Sequence, residues 1–160
     1  ALGLAQIKKL PKFLAIQRKN HSIIKNILAE IPEVSFRKIP DETGDSCTFL
    51  SWFLPTESMA QKVTDELKAQ NILAGNFYWY NNNWHYIRNW HHLKNVASLY
   101  PLHSEQAKAL NNLKNTGFSA SDQIMSRCIS TAIGLLWTEE QTIAKAQALK
   151  AAILKSMVSG

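Results

Sequence analysis

Val34-Ser35-Phe36-Arg37-Lys38-Ile39 and Cys47-Thr48-Phe49-Leu50-Ser51-Trp52-Phe53-Leu54 flank the segment Pro40-Asp41-Glu42-Thr43-Gly44-Asp45, and the reading of this stretch decides the fold. The first run alternates apolar and polar residues, the pattern of a half-buried strand. The second is mostly apolar and aromatic, again strand composition. Between them, proline, aspartate and glycine supply turn chemistry, so the two runs read as a β-hairpin. Pro55 closes the second strand. Thr56 is placed to cap a helix running to Gln70, with Ala60, Val63 and Leu67 as its buried stripe.

Upstream of the hairpin, residues 1–31 read as helix. Leu4, Ile7 and Leu10 recur at helical spacing, and Phe13, Ile16, Ile24, Ile27 and Ile31 continue the stripe, interrupted by Asn20. Pro11 removes a backbone donor, so a kink or a restart is expected there, the milder form being proline in the first turn of a second helix. Pro32 ends the segment. Downstream, Ile72 to Tyr80 reads as a third strand, broken by Asn81, Asn82 and Asn83. Trp84 to Asn95 is expected to be a short helix, and 96–118 a loop with one helical stretch at 104–114. Ser119 or Ser121 would cap a short helix before Arg127. Cys128 to Leu136 reads as a strand. Thr138 and Gln141 have the capping-box spacing, and Ile143, Ala146, Leu149, Ile153 and Met157 give the last helix its stripe. The order implies an α+β fold: a small, mostly antiparallel sheet with helices on one face. The chain divides into a long connecting helix, 1–31, kinked near Pro11, and a small domain, 32–160. That helix is longer than one small sheet can cover, which suggests a bridge to something else.

Composition sets the outer bounds. The chain has 160 residues and a mass of 18.1 kDa. A folded globule of this mass exposes about 8,000 Å², roughly 30 % of what its extended chain exposes, so a full core can form without staples. Hydrophobic residues are 46 % and charged residues 19 %, which argues against global disorder. Apolar runs fall short of the roughly 18 residues of a membrane span, and no leader pattern opens the chain. It starts at Ala1 without Met, on helical sequence, and is expected to be a piece of something longer. Cys47 and Cys128 sit in no CxxC pattern and read as free thiols of a reducing compartment, hence a cytoplasmic protein. The net charge of +6 suits an anionic partner or a scattered, solvated surface.

Aromatic density is the feature most suggestive of chemistry. Eight of the fifteen aromatic residues lie between Phe77 and Tyr100, interleaved with Asn81, Asn82, Asn83, His85, His91 and His92. Ring faces stack on sugar C–H surfaces or on bases, while amide and imidazole groups bond hydroxyls. The cluster therefore suits a carbohydrate or nucleotide pocket, although any single ring could equally fill the core. His85 and His92 are too far apart on a helix to share an ion, no HExxH occurs, and no metal is expected. No GxSxG and no glycine-rich phosphate loop appear, so no catalytic residue is assigned. A stand-alone carbohydrate-binding module and a single-stranded nucleic-acid binder remain as alternative readings.

Three stretches carry a resemblance. Ala1 to Leu10 (ALGLAQIKKL) with Phe13 and Arg18 resembles the helix that leaves the large domain of DegT/DnrJ-type sugar aminotransferases, fold-type I enzymes dependent on pyridoxal phosphate. Ile124 to Ser130, then Trp137-Thr138-Glu139-Glu140-Gln141, resemble the closing strand and last helix of that family. Phe77 to Tyr86, with Asn89 and Trp90, is similar to the subgroup that aminates an oxidised Kdo sugar, giving 8-amino-3,8-dideoxy-manno-octulosonate (amino-Kdo) of lipopolysaccharide. Pro11, Cys128 and Ala132 depart from the usual pattern. The Gly-Glu-Gly-Gly stretch that follows the cofactor lysine is absent, so the resemblance is to the C-terminal small domain alone.

The resemblance implies a parent enzyme that moves an amino group from an amino acid, glutamate being the expected donor, to a keto or aldehyde sugar. Pyridoxal phosphate would be held mainly by the large domain of the same polypeptide, with none expected on this chain alone, which would then have no turnover of its own. The implied assembly is a homodimer, without membrane or nucleic acid. Tyr78, Tyr80, Asn83, Trp84 and His85 are the expected sugar-facing residues, and Arg127 the expected fork for a substrate carboxylate.

Overall fold

A computed structural model describes residues 2–72, 74–114 and 116–158. The N-terminal helix comes in two pieces, Leu2–Ile7 (α1) and Leu10–Leu28 (α2), joined through a turn at Lys8 and Lys9. Pro11 lies in the first turn of α2, where its missing N–H would have had no partner, so the chain restarts there. Next come Ser35–Phe36 (β1), Phe49–Phe53 (β2), Glu57–Ala69 (α3) and Asn76–Tyr78 (β3). Two 3₁₀ turns follow, Trp79–Asn81 and Ile87–Asn89, then His91–Lys94 (α4), Ser104–Lys114 (α5) and Ser119–Met125 (α6). Cys128–Ala132 (β4) and Glu139–Val158 (α7) complete the described chain.

The four strands form one sheet in the order β1-β2-β4-β3, antiparallel at every step. The fold is α+β, as the order of elements implies. Phe53 pairs with Ser35 on one side and with Cys128 on the other, and Ser130 pairs with both Ser51 and Phe77. The first two strands are the expected hairpin, shorter than their apolar runs. β1 gains one further ladder bond, Arg37 N–H to the Ser51 carbonyl at 3.1 Å.

Every second residue of these strands points toward α2, α3 and α7. Leu50, Trp52, Leu54, Ile129 and Ile133 pack there with Ile24, Leu28, Val63, Leu67, Leu149 and Ile153 in one continuous core. Fully burying a side chain of this size stabilises the fold by about 1.5–3 kcal/mol. Trp52 is wholly buried, and its indole N–H donates to Thr131 Oγ1 at 3.1 Å, so the one polar atom of the largest core residue is satisfied. Asn20, the interruption in the α2 stripe, is also buried. Its amide donates to the carbonyls of Gly134 at 3.1 Å and Trp137 at 3.3 Å, tying α2 to the loop before α7.

Caps fall where the sequence places them. Thr56 Oγ1 accepts from Met59 N–H at 3.2 Å. The Thr138–Gln141 box closes reciprocally, at 3.0 and 3.3 Å.

Other expectations are corrected. The run from Ile72 to Tyr80 yields only three strand residues, because Asn71 (φ 57°) and Gly75 (φ 83°) turn the backbone before it. Trp84 to Asn95 is not one helix. Asn82 Oδ1 accepts from the N–H groups of Trp84 and His85, and the Asn89 amide donates to the carbonyls of Tyr80 and Asn82, local bonds that compete with a helical ladder. α6 begins at Ser119 itself, with Phe118 at the cap position and no side-chain cap, so neither Ser119 nor Ser121 caps it. On α7 the buried stripe includes Thr142 where Ile143 was expected. Thr142 Oγ1 donates to the Thr138 carbonyl at 2.8 Å, and Ile143 is exposed. The strand read as Cys128 to Leu136 stops at Ala132.

The chain exposes 10374 Å², about a quarter more than a compact monomer of its mass. Leu4, Ile7 and Leu10 contribute to the excess along α1 and the start of α2. No helix among the described residues is long and apolar enough to cross a membrane.

Candidate functional site

The pleat that sends Leu50 and Trp52 into the core sends their neighbours to the opposite face of the sheet, away from α2, α3 and α7. The register sets Ser51, Ser130 and Phe77 in one row across three strands, and the ladder bond from Arg37 to Ser51 extends that row to the β1 edge. Phe49 lies in the next row, opposite Ala132. Beyond β3 the chain turns through Trp79–Asn81 and brings Trp79, Asn82, Trp84 and His85 back over the same face. These residues enclose a groove of about 300 Å³, within the range of small-ligand sites.

Each wall has a physical cause. Phe49 and Phe77 meet edge to face at 6.1 Å and 63°, a preferred arrangement for adjoining rings. The Trp79 indole N–H donates to Ser130 Oγ at 2.7 Å, which fixes the ring against the sheet. Ser130 and Ser51 hydroxyls lie 2.6 Å apart. Ser130 is wholly buried and already accepts the Trp79 N–H, so the hydrogen-bonding capacity that the floor keeps for a ligand lies on Ser51. The Asn82 turn holds Trp84 and His85, whose ring lies 5.8 Å from that of Trp79. Trp84 is 73 % exposed, an unusual state for the largest side chain. Arg37 closes the edge and is the one Lys, Arg, Asp or Glu among the described lining residues.

Of the five residues expected to face a sugar and the expected carboxylate fork, the groove brings together Trp84 and His85. Tyr78 belongs to the core. Its hydroxyl donates to the Ser126 carbonyl at 2.8 Å, and burial pushes its pKa up to about 12. Tyr80 packs against the same core, with Tyr78 and Tyr86 each 6.2 Å away and the Arg88 guanidinium 5.0 Å over its ring. Asn83 gives its carbonyl to the Trp90 indole N–H at 2.8 Å and does not line the groove. Arg127 sits between α6 and β4, outside the groove, with its Nε–H on the Gln123 carbonyl (2.8 Å) and an Nη–H on that of Leu54 (3.4 Å). Arg37, Phe49, Ser51, Phe77, Trp79, Asn82 and Ser130 were not assigned from sequence. Strand alternation from Phe49 to Phe53 was the available signal for two of them.

The two cysteine thiols are suppressed as nucleophiles. Burial pushes the Cys128 thiol up to about 12 and raises that of Cys47, so neither is a thiolate at neutral pH. Among the described residues no three His, Cys, Asp or Glu side chains gather as metal ligands.

Comparison with known proteins places this geometry. Residues 1–109 match the DegT/DnrJ/EryC1/StrS aminotransferase family. The chain belongs to that family. It is also similar to a GDP-4-keto-6-deoxy-D-mannose 3-dehydratase of Yersinia pseudotuberculosis, 42 % identical over 85 residues, a match covering 48 % of this chain and 21 % of that protein. The chain thus matches about a fifth of the length of this curated relative. DegT-type aminotransferases use pyridoxal phosphate. The groove does not fit that cofactor. Among the described residues no lysine lines it to take the aldehyde, and its donors are scattered side chains rather than a run of backbone N–H groups for a phosphate.

Proposed function

We propose that the chain is the C-terminal small domain of a DegT-type sugar aminotransferase, and that the groove on the face of its sheet away from α2, α3 and α7 walls the sugar. One observation carries the reading: exposed Trp84, pinned Trp79 and a paired-serine floor share one groove in a member of an aminotransferase family. Aromatic faces take the apolar side of a pyranose, and serine and asparagine groups take its hydroxyls.

The cofactor lysine and the phosphate site belong, in this reading, to a large domain of the same polypeptide. The excess exposed area and the apolar side chains of α1 and early α2 support it, as surface that a neighbouring domain would cover. The sugar is an oxidised Kdo of lipopolysaccharide biosynthesis, glutamate is the amino donor, and the parent is a cytoplasmic homodimer. This chain alone turns nothing over.

The test is to incubate the chain with pyridoxal phosphate, pass it through gel filtration and add glutamate. No visible absorbance should remain with the protein. A band that co-elutes and is consumed by glutamate would sink the assignment of the chemistry to another domain. Titration with D-glucuronate and D-glucose then checks the groove. The indole resonance lost in Trp84→Phe should move on binding.

A further inference from the structure

We propose that Arg37 is the oxyanion anchor of the groove, so that its ligand is a saccharide bearing a negative charge and not a neutral sugar. The inference rests on the reading that the groove holds a sugar, and deepens it. The carboxylate fork expected at Arg127 lies outside the groove, with its Nε–H and one Nη–H on the Gln123 and Leu54 carbonyls. Arg37 occupies the edge of the same row that contains Ser51, Ser130 and Phe77. Neighbouring strands lie about 4.8 Å apart. An oxyanion held at the edge therefore leaves the ring it is attached to above the serine pair, with Trp79 and Trp84 beside it.

The guanidinium is held but not consumed. Its one ion pair among the described residues, to Asp45 Oδ2, is 3.5 Å long, against about 2.8 Å for a tight charge-assisted bond. Asp45 is itself fixed, since its Oδ1 accepts the Cys47 N–H at 2.8 Å and only 15 % of its side chain is exposed. The Arg37 side chain is 56 % exposed. Asp45 therefore holds one end of the fork, and the half-exposed guanidinium lines the groove with donors to spare. An anion arriving there exchanges water for a planar, bidentate partner.

Two sources could provide the oxyanion: a carboxylate on the sugar itself, or the diphosphate of a nucleotide-linked sugar. Binding of D-glucuronate, D-glucose and GDP-mannose to the 160-residue chain, followed by the indole N–H resonances of Trp79 and Trp84, separates them. Glucuronate is expected to bind about tenfold more tightly than glucose, an advantage that Arg37→Gln removes, Arg37→Lys restores in part and added salt weakens. An Arg37-dependent advantage for GDP-mannose alone would support the anchor and assign it to phosphate. Asp45→Asn keeps the acceptor for Cys47 N–H and frees the guanidinium, so it should tighten anion binding. This opposite sign guards against a variant that merely loosens the edge, and thermal melts of each variant check the fold. Equal binding of glucuronate and glucose, unchanged in Arg37→Gln, would overturn the anchor and leave the sugar groove standing. No movement of either indole with any probe would overturn both.

Discussion

The two faces of this small sheet are made by the same strands and obey different rules. Leu50, Trp52 and Leu54 on the helix side are almost wholly buried, whereas Phe49 on the other side is half exposed and Ser51 shares a hydrogen-bonded floor with Ser130. Alternation alone separates the side chains that hold the fold from those free to be chosen for a ligand. The contrast explains how a short hairpin can serve both roles. Stability is loaded on even-numbered positions of β2, and the odd-numbered ones are released for recognition.

Substitutions test that division, the largest effect first. Trp52→Ala should cost about 4 kcal/mol by urea denaturation, because it opens a large cavity and removes the indole N–H bond to Thr131 Oγ1. If it costs no more than Phe49→Ala, for which about 1 kcal/mol is expected, the two faces are not energetically distinct. Tyr78→Phe comes next, at about 1 kcal/mol, for the lost bond to the Ser126 carbonyl. The same residue predicts a pH dependence. Burial raises its pKa from 10.0 to about 12, so the folded state keeps a proton that the unfolded state releases. Its contribution is complete below pH 10.0 and is lost as pH climbs toward about 12, and Tyr78→Phe should flatten that part of the stability curve. Thr138→Ala, which breaks the capping box of α7, should cost about 1 kcal/mol in the same assay. Trp84→Ala is the sharpest test, since it should change stability by less than about 0.5 kcal/mol while abolishing glucuronate binding.

Much of the helix-side face was legible in the sequence. The Ala60, Val63 and Leu67 stripe, the Thr56 cap and the Thr138–Gln141 box follow from local chemistry that tertiary context does not overrule. Thr142 was missed because its hydroxyl bonds a carbonyl of its own helix, which lets a polar residue sit where the pattern calls for an apolar one. The groove was less legible. Taking Phe77 to Tyr86 as one aromatic cluster ignored the pleat, which sends Tyr78 inward and Phe77 outward. Arg37 could not be found from its own neighbourhood. Only the strand order, with β2 and β4 between β1 and β3, brings it into one row with Phe77.

That strand order also bears on how such a protein can change over evolutionary time. β3 and β4 are adjacent, with Tyr78 paired to Ile129, so the long excursion that supplies Trp79, Trp84 and His85 leaves and rejoins the sheet at neighbouring points. Lengthening or replacing a segment tethered in this way costs only about 0.6 kcal/mol of closure entropy per doubling. The excursion can therefore be exchanged for one of different length and sequence while the sheet and its helices fold as before. The share of ligand preference set by Trp79, Trp84 and His85 is then inherited separately from the share set by Arg37, Ser51 and Ser130 on the sheet.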